Sequence, residues 1–331
     1  MLKIGLLGCG RIGQVHARSI KLLEGAQIVA VADAVPDAAK SLAATTGAEI
    51  RDVDAILSAP DVDAVIIGTP TDSHFDQLMG AATAGKAIFC EKPIDMSVDN
   101  IRACMEAVTA AGVPFMAGFN RRFDPNFARL RARIKAGDIG APELVTITSR
   151  DPSPPPLSYI ERSGGLFRDM MIHDFDMARF LMGEDFIRLH AVGSSLVDPA
   201  IGAAGDVDTA AVILTTASGR ICQISNSRRA AYGYDQRIEV HGVGGMLRAE
   251  NQLESTVEIA TEAGFRRDPA QHFFLERYET AYLAEMQVFI AAANGRASAD
   301  PGIVDGLHAQ IMADAASTSL QTGQPVDLSA A

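Results

Sequence analysis

No stretch of this chain stays apolar for anything near the roughly 20 residues that a membrane-spanning helix needs, so a transmembrane protein is not expected. Cysteine is scarce. Cys9, Cys90, Cys104 and Cys222 lie far apart and form no Cys-x-x-Cys pair, which favours reduced, buried thiols in a cytoplasmic protein. Positive charge is in deficit, with 29 Lys and Arg against 41 Asp and Glu and a formal net charge of -12. A surface of that sign is repelled by a phosphate backbone and by anionic lipid, so neither nucleic acid nor a membrane is an expected partner. A charged leader with a long apolar region is missing as well. Met1-Leu2-Lys3 runs directly into an apolar segment, and no signal peptide is expected. No internal repeat is evident. What remains is 331 residues of ordinary globular composition, 48% hydrophobic and 21% charged, longer than one hydrophobic core usually supports. Two domains are the expectation.

The first 120 residues alternate between short apolar runs and helix-period segments. Strands are predicted at 3–7, 27–32, 64–68, 87–90 and 114–118, with helices at 11–23, 36–46, 72–84 and 97–111. Pro36 and Ser97 are sensible helix starts; Gly85 and Gly112 are sensible stops. Strict alternation implies right-handed crossovers and a parallel sheet covered on both faces. Near-continuous runs such as Ala64-Val65-Ile66-Ile67 suit strands buried on two sides. Beyond residue 120 the pattern changes. A helix is predicted at 125–136, a strand at 143–150, a proline-rich loop at 151–156 and a helix at 166–181. Strands at 188–197, 208–216, 221–229, 236–241, 246–250 and 256–261 follow, separated by short turns, which means an antiparallel sheet. Helices at 274–293 and 302–320 close the chain. The predicted fold is therefore α/β. A doubly wound parallel sheet occupies residues 1–120, and an α+β domain with a large, mostly antiparallel open sheet occupies residues 121–331, with the last helix free to pack back on the first domain. An open face of that size calls for a cover, so a homo-oligomer packed sheet on sheet is expected.

Gly8-Cys9-Gly10-Arg11-Ile12-Gly13 follows the first predicted strand and opens the first predicted helix. The first glycine permits a tight turn, the second lets backbone approach a pyrophosphate, and the third lets helix pack closely on strand. A lone Gly-x-Gly-x-x-Gly is weak, but here it sits in a strand–helix–strand unit, the setting of a Rossmann dinucleotide site. Asp33 closes the second strand 20 residues after Gly13. A carboxylate there accepts hydrogen bonds from ribose hydroxyls and repels a 2′-phosphate, and Ala34 and Val35 offer no cation, so NAD is expected over NADP.

Glu91-Lys92-Pro93 falls at the C-terminal end of a parallel strand, the edge where ligands bind in such sheets. A lysine before a proline is commonly a solvated surface charge; here it can also reach into the crevice and stabilise charge on a reacting oxygen. In Gly164–Asp176, Asp169, His173 and Asp176 are spaced four and three apart and share one face of the predicted helix. Met170, Met171, Ile172 and Phe175 are interleaved with them, so the polar stripe is expected to be substantially buried. One reading is acid–base work by the histidine with a carboxylate beside it. The other is a capping aspartate with a histidine satisfied by a backbone carbonyl. Asp and His four apart can ligate zinc, but no third ligand with helpful spacing stands out and no metal is expected.

Together these motifs resemble the glucose–fructose oxidoreductase/inositol dehydrogenase/MocA family of NAD(P)-dependent oxidoreductases, and most of all its bacterial inositol 2-dehydrogenase branch. The resemblance runs over nearly the whole chain. It rests on Gly8–Gly13, Asp33, Thr69-Pro70 with His74, Glu91-Lys92-Pro93, Gly118-Phe119-Asn120-Arg121-Arg122-Phe123, Gly164 through Asp176, and Tyr232-Gly233-Tyr234-Asp235. It implies Lys92, Asp169 and His173 as the catalytic set. Cofactor contacts are implied from Gly8, Gly10, Arg11, Ile12, Gly13, Asp33, Thr69, Pro70, His74, Glu91 and Lys92. Substrate contacts are implied from Lys92, Arg121, Asp151, Asp169, His173 and one of Tyr232 or Tyr234. The implied reaction is oxidation of a secondary hydroxyl of a cyclic polyol, with inositol leading, in a cytoplasmic homotetramer. Where some relatives carry a histidine and an asparagine, this chain reads Ser149-Arg150-Asp151-Pro152, so the isomer stays open between myo- and scyllo-inositol. A pyranose of the glucose type, a non-catalytic NAD(H) sensor and glycoside cleavage through a transient ketone are the alternatives.

Overall fold

The computed structural model describes residues 1–328; the last three residues of the predicted second domain lie outside it. The chain divides into two compact units, one of Met1–Phe123 with Thr280–Gln310, the other of Asp124–Glu279 with the chain from Ile311 onward.

The first unit is built on six strands: β1 (Leu2–Leu7), β2 (Ala26–Ala32), β3 (Glu49–Ile50), β4 (Ala64–Ile67), β5 (Ala87–Glu91) and β6 (Phe115–Gly118). All pair in parallel, in the order β3-β2-β1-β4-β5-β6. The order reverses between β1 and β4, the switch point outside which ligands bind. The crossovers are α1 (Arg11–Lys21), α2 (Pro36–Thr46), α3 (Val53–Ser58), α4 (His74–Thr83) and α5 (Val98–Ala111). Pro36 fills the first turn of α2, and the Ser97 hydroxyl accepts the Asn100 N–H at the start of α5. Gly112 ends α5 in the left-handed conformation that a side chain would resist. Neither β3 nor α3 is visible in the sequence pattern: a two-residue edge strand and a six-residue helix are too short to show a period. Every residue of β4 and β5 is buried. Met286, Phe289 and Ile290, from the long helix near the chain's end, join Ile4, Leu6 and Phe89 in this core. Phe89 and Phe289 meet edge to face, 5.6 Å apart.

In the second unit, α6 (Pro125–Lys135) leads to β7 (Pro142–Arg150) and then to three helices: α7 (Leu157–Ser163), α8 (Gly165–Asp169) and α9 (Ile172–Met182). Then come β8 (Phe186–Ser194), α10 (Pro199–Ala203), β9 (Thr209–Thr216), β10 (Ile221–Ser227), β11 (Asp235–Gly242) and β12 (Gly245–Ala249). After the hairpin β13 (Glu258–Thr261) and β14 (Gly264–Arg267), the chain forms α11 (Phe274–Arg277), α12 (Glu279–Ala293), α13 (Ile303–Thr322) and the short β15 (Val326–Asp327). The seven-stranded sheet runs β12-β11-β7-β10-β9-β8-β15. Neighbours joined by turns are antiparallel, as expected. The pairs β7–β11 and β8–β15, remote in sequence, are antiparallel too, and β7–β10 is the one parallel pair among the described strands of this sheet. The sheet is thus mixed and mostly antiparallel. The strand predicted at 256–261 does not join it. β13 pairs only with β14, and all eight residues of this hairpin are exposed, so no core face holds them in the sheet.

Buried Asp208 closes the loop after β8. Its carboxylate accepts the N–H groups of Leu196 (2.8 Å), Val197 (2.9 Å) and Asp198 (3.0 Å) and the Thr209 hydroxyl (2.9 Å). Burial pushes this carboxyl up, but the amides and the hydroxyl together outweigh it and hold it below the ordinary value. A depressed carboxyl contributes stability above its unfolded value of about 3.9 and loses it as pH falls through the folded one. Asp208→Asn should therefore cost about 2 kcal/mol at neutral pH. Its denaturant midpoint should begin to approach that of wild type below about pH 4 and converge once pH has fallen below the depressed folded value, where both side chains are neutral. Parallel midpoints from neutral to acid pH would rule out the ionised carboxylate as the source of that stability.

Candidate active site

In the first unit the glycine turn stands at the mouth of the sheet's switch point. Gly8 has φ +93°, and a Cβ on it would collide with the Gly68 carbonyl. A Cβ on Gly13 would collide with the carbonyl of Gly8. Gly10 differs: nothing lies within 4 Å of where its Cβ would be. It caps α1 without a side-chain hydrogen bond, and the first turn carries no acid, so the helix terminus presents amides and positive dipole to open space. Asp33 anchors this turn. Its Oδ2 accepts the Cys9 N–H at 2.6 Å and its Oδ1 the Val35 N–H at 2.7 Å. Each oxygen keeps a lone pair for a ribose hydroxyl. The room at Gly10, the uncapped helix and Asp33 fit an NAD pyrophosphate and ribose.

His74, in the first turn of α4, is buried and joins two loops at this edge. Its Nδ1 lies 2.9 Å from the Pro93 carbonyl and its Nε2 2.9 Å from the Thr69 carbonyl. The Thr69 hydroxyl donates to Gln77 at 2.8 Å. Pro70 precedes the single turn Thr71–Ser73 that leads into α4. Lys92 follows the last residue of β5, as its place in the sequence requires, and the Lys92–Pro93 peptide is cis. The Lys92 N–H donates to Glu91 Oε2 at 3.3 Å. Arg121 is buried in the 3-10 turn Asn120–Phe123 that follows β6.

The second unit holds the aspartate and the histidine. The single helix expected at 166–181 is broken. α8 ends at Asp169 and α9 starts at Ile172, because the amides of Met170 and Met171 both return to the Leu166 carbonyl. Asp169 thus ends one helix and His173 sits in the first turn of the next. Asp174 and Asp176 are the fully buried acids of α9, and Asn226 donates to Asp174 at 2.9 Å. Asp169 Oδ1 accepts the Tyr159 hydroxyl at 2.9 Å, while Oδ2 lies 3.4 Å from a guanidinium nitrogen of Arg228. Arg228 is buried and has Asp206 at 3.8 Å as its second carboxylate. Asp169 is therefore held as a hydrogen-bond acceptor. Asp151 follows β7 and donates its N–H to the Ser227 carbonyl at 3.0 Å. Tyr232 is half-exposed; its hydroxyl donates to Asp235 at 2.7 Å and accepts from Arg150 at 3.0 Å. Tyr234 is buried edge-on against Tyr278, 5.9 Å away.

Sequence reasoning missed Tyr159, Arg228, His16 and Glu285. The two-residue period of β10 buries Cys222, Ile224 and Asn226, and carried two residues further it places Arg228 inside. His16 lies four residues after Ile12 and four before Ile20 on α1, and that spacing marks an inward face. Tyr159 lies in a helix whose start, behind three prolines, carries no legible cap. All four cysteines are buried. Burial and then the Asp33 charge push the Cys9 thiol up to about 11, which makes it a packing group. Among the described residues no group of three or more His, Cys, Asp or Glu could hold a metal ion, and no helix is long and apolar enough to cross a membrane.

A parallel sheet with this glycine turn, Asp33 and an uncapped helix at its switch point defines an NAD-binding Rossmann oxidoreductase. Residues 2–119 match the model of an oxidoreductase family with an NAD-binding Rossmann fold, and residues 127–248 match the GFO/IDH/MocA C-terminal domain. The chain belongs to the GFO/IDH/MocA family. It is 54% identical over 327 residues to the inositol 2-dehydrogenase of Rhizobium meliloti, covering 99% of both chains. It is 44% identical over 331 residues to the myo-inositol 2-dehydrogenase of Thermotoga maritima, covering 99% of this chain and 98% of that one. Among solved structures, the scyllo-inositol dehydrogenase of Lactobacillus casei with bound NAD(H) and scyllo-inositol superimposes with a TM-score of 0.93 at 30% identity, covering 99% of both chains.

Proposed function

We propose that this protein oxidises a secondary hydroxyl of inositol with NAD, giving the inosose and NADH. Full-length identity of 54% to an inositol 2-dehydrogenase carries the reading. The fixed acceptor at Asp169 supports it, because a polyol ring presents hydroxyl donors. NAD, when bound, supplies the two-electron acceptor. His173 takes the proton of the reacting hydroxyl. Lys92 stabilises the substrate oxygen as negative charge builds on it. Asp169 accepts a hydrogen bond from a hydroxyl next to the reacting carbon and supports the imidazole. Arg121, Asp151 and one of Tyr232 or Tyr234 contact the ring. The first unit binds the cofactor; the second binds the substrate ring and assembles the oligomer.

The assembly we propose is a cytoplasmic homotetramer packed through the outer face of the seven-stranded sheet. Leu144 and Ile221 are paired neighbours on that face and Ile213 lies one strand further, all exposed. Gel filtration should give a mass well above one chain. In an assay with myo-, scyllo- and chiro-inositol and glucose, NADH should form from NAD on an inositol, and NADPH from NADP at least about tenfold more slowly. Turnover on glucose alone, or none on any polyol, would sink the reading.

A further inference from the structure

Behind Lys92 lies a buried group of ionisable side chains that the reaction above does not use. Glu91 ends β5 with its carboxylate turned inward. Oε1 lies 2.7 Å from Nε2 of His16 on α1, and Oε2 accepts the Lys92 N–H at 3.3 Å. Gly118, the partner of Glu91 on β6, leaves the space this carboxylate occupies; a Cβ there would lie 2.8 Å from Oε2. His16 is wholly buried, with the rings of Phe89 and Tyr282 edge-on at 5.0 and 5.9 Å. Glu285 on α12 is wholly buried too, and neither of its oxygens has a hydrogen-bond partner among the described residues. The titratable groups around Glu91 are thus His16 from α1, Cys90 and Lys92 from its own strand and its continuation, and Glu285 from α12, with the Tyr282 ring against His16.

We propose that His16 and Glu285 are positioning residues for Lys92, acting through the Glu91 carboxylate, and that Glu285 does so as a neutral acid. The inference rests on the role given to Lys92 above. The Glu91 carboxylate is a two-ended pin. One end holds the lysine's own amide, the other the helix whose first turn is the glycine motif. A second carboxylate near that pin, wholly buried and with no hydrogen-bond partner among the described residues, is disfavoured as a charge. Burial and then the charge of Glu91 push the Glu285 carboxyl well above the usual carboxylate range. Neutral, it adds no second negative charge beside the pin. An ionised Glu285 would set a second negative charge near Glu91 and weaken the hold on the lysine strand end.

A raised carboxyl contributes stability that is full below its unfolded value of about 4.3 and declines as pH rises toward the folded one. Glu285→Gln keeps shape and neutrality with no proton to hold. Its melting temperature should exceed that of wild type by a margin that widens about 2 °C per pH unit from about pH 5 to 8. Its kcat at neutral pH should stay within about twofold of wild type. His16→Phe removes the donor to Glu91 and should lower kcat about tenfold or more with the Kd for NAD within about threefold. His16→Gln, whose amide nitrogen can take the place of Nε2, should recover most of that loss. Melting curves that run parallel with pH, a tenfold loss of kcat in Glu285→Gln, or equal behaviour of Phe and Gln at position 16 would each overturn the proposal. The melting curves need no substrate, so failure of the inositol assay counts against the proposed reaction and leaves this test standing.

Discussion

Lys92→Ala should lower kcat on inositol by about three orders of magnitude and leave the Kd for NAD within about threefold. A cation beside the reacting oxygen does little for a neutral hydroxyl and much for the alkoxide-like oxygen formed as the proton leaves. Its contribution is realised in the transition state, so kcat and kcat/KM should fall together. The fold supports the contrast with binding. Lys92 continues β5 with its backbone held by Glu91, while the glycine turn and Asp33 occupy the ends of β1 and β2. His173→Asn should fall by about two to four orders through loss of the general base, and with a weaker dependence on pH. Steady-state rates beside a fluorescence titration with NAD separate the two effects. A Lys92→Ala enzyme that keeps more than about a tenth of its turnover would remove lysine from the chemistry.

Much of this was legible in the chain itself, for identifiable reasons. The parallel sheet announces itself because strands buried on both faces read as unbroken apolar runs, and β4 and β5 are such runs. The glycine turn is legible because two of its three glycines are sterically obligatory and the third leaves room for a ligand. The break between α8 and α9 was hidden, since Met170 and Met171 are good helix formers and nothing local forbids one continuous helix. Its cause lies in the Leu166 carbonyl taking two amides, a matter of tertiary placement. The parallel β7–β10 pair was hidden for a related reason: strand order depends on where the four helices and two strands between them carry the chain. The partners of Asp169 were hidden because Tyr159, Asp169 and Arg228 come from α7, α8 and the end of β10, remote in sequence and joined only by folding. The helix at 279–293 was legible as a helix, but its apolar residues carry no label for the core they join.

The glycine turn yields the sharpest contrast between two substitutions of one kind. Gly13→Ala puts a methyl group against the Gly8 carbonyl, a backbone atom that cannot swing aside, and should cost about 3 kcal/mol or more. The expected outcome is a melting temperature lower by several degrees. Gly10→Ala meets no atom within 4 Å, and its φ of -70° and ψ of -161° suit any residue. That variant should fold and melt within about 1 °C of wild type. Yet its methyl group would stand over the open amides of α1, in the room a pyrophosphate needs. The KM for NAD should therefore rise about tenfold or more, and kcat at saturating NAD should change little. One methyl group is thus expected to destabilise the fold at one glycine and to weaken only the cofactor affinity at another, three residues away. A Gly10→Ala protein that binds NAD as tightly as wild type would mean that the pyrophosphate does not lie on this turn.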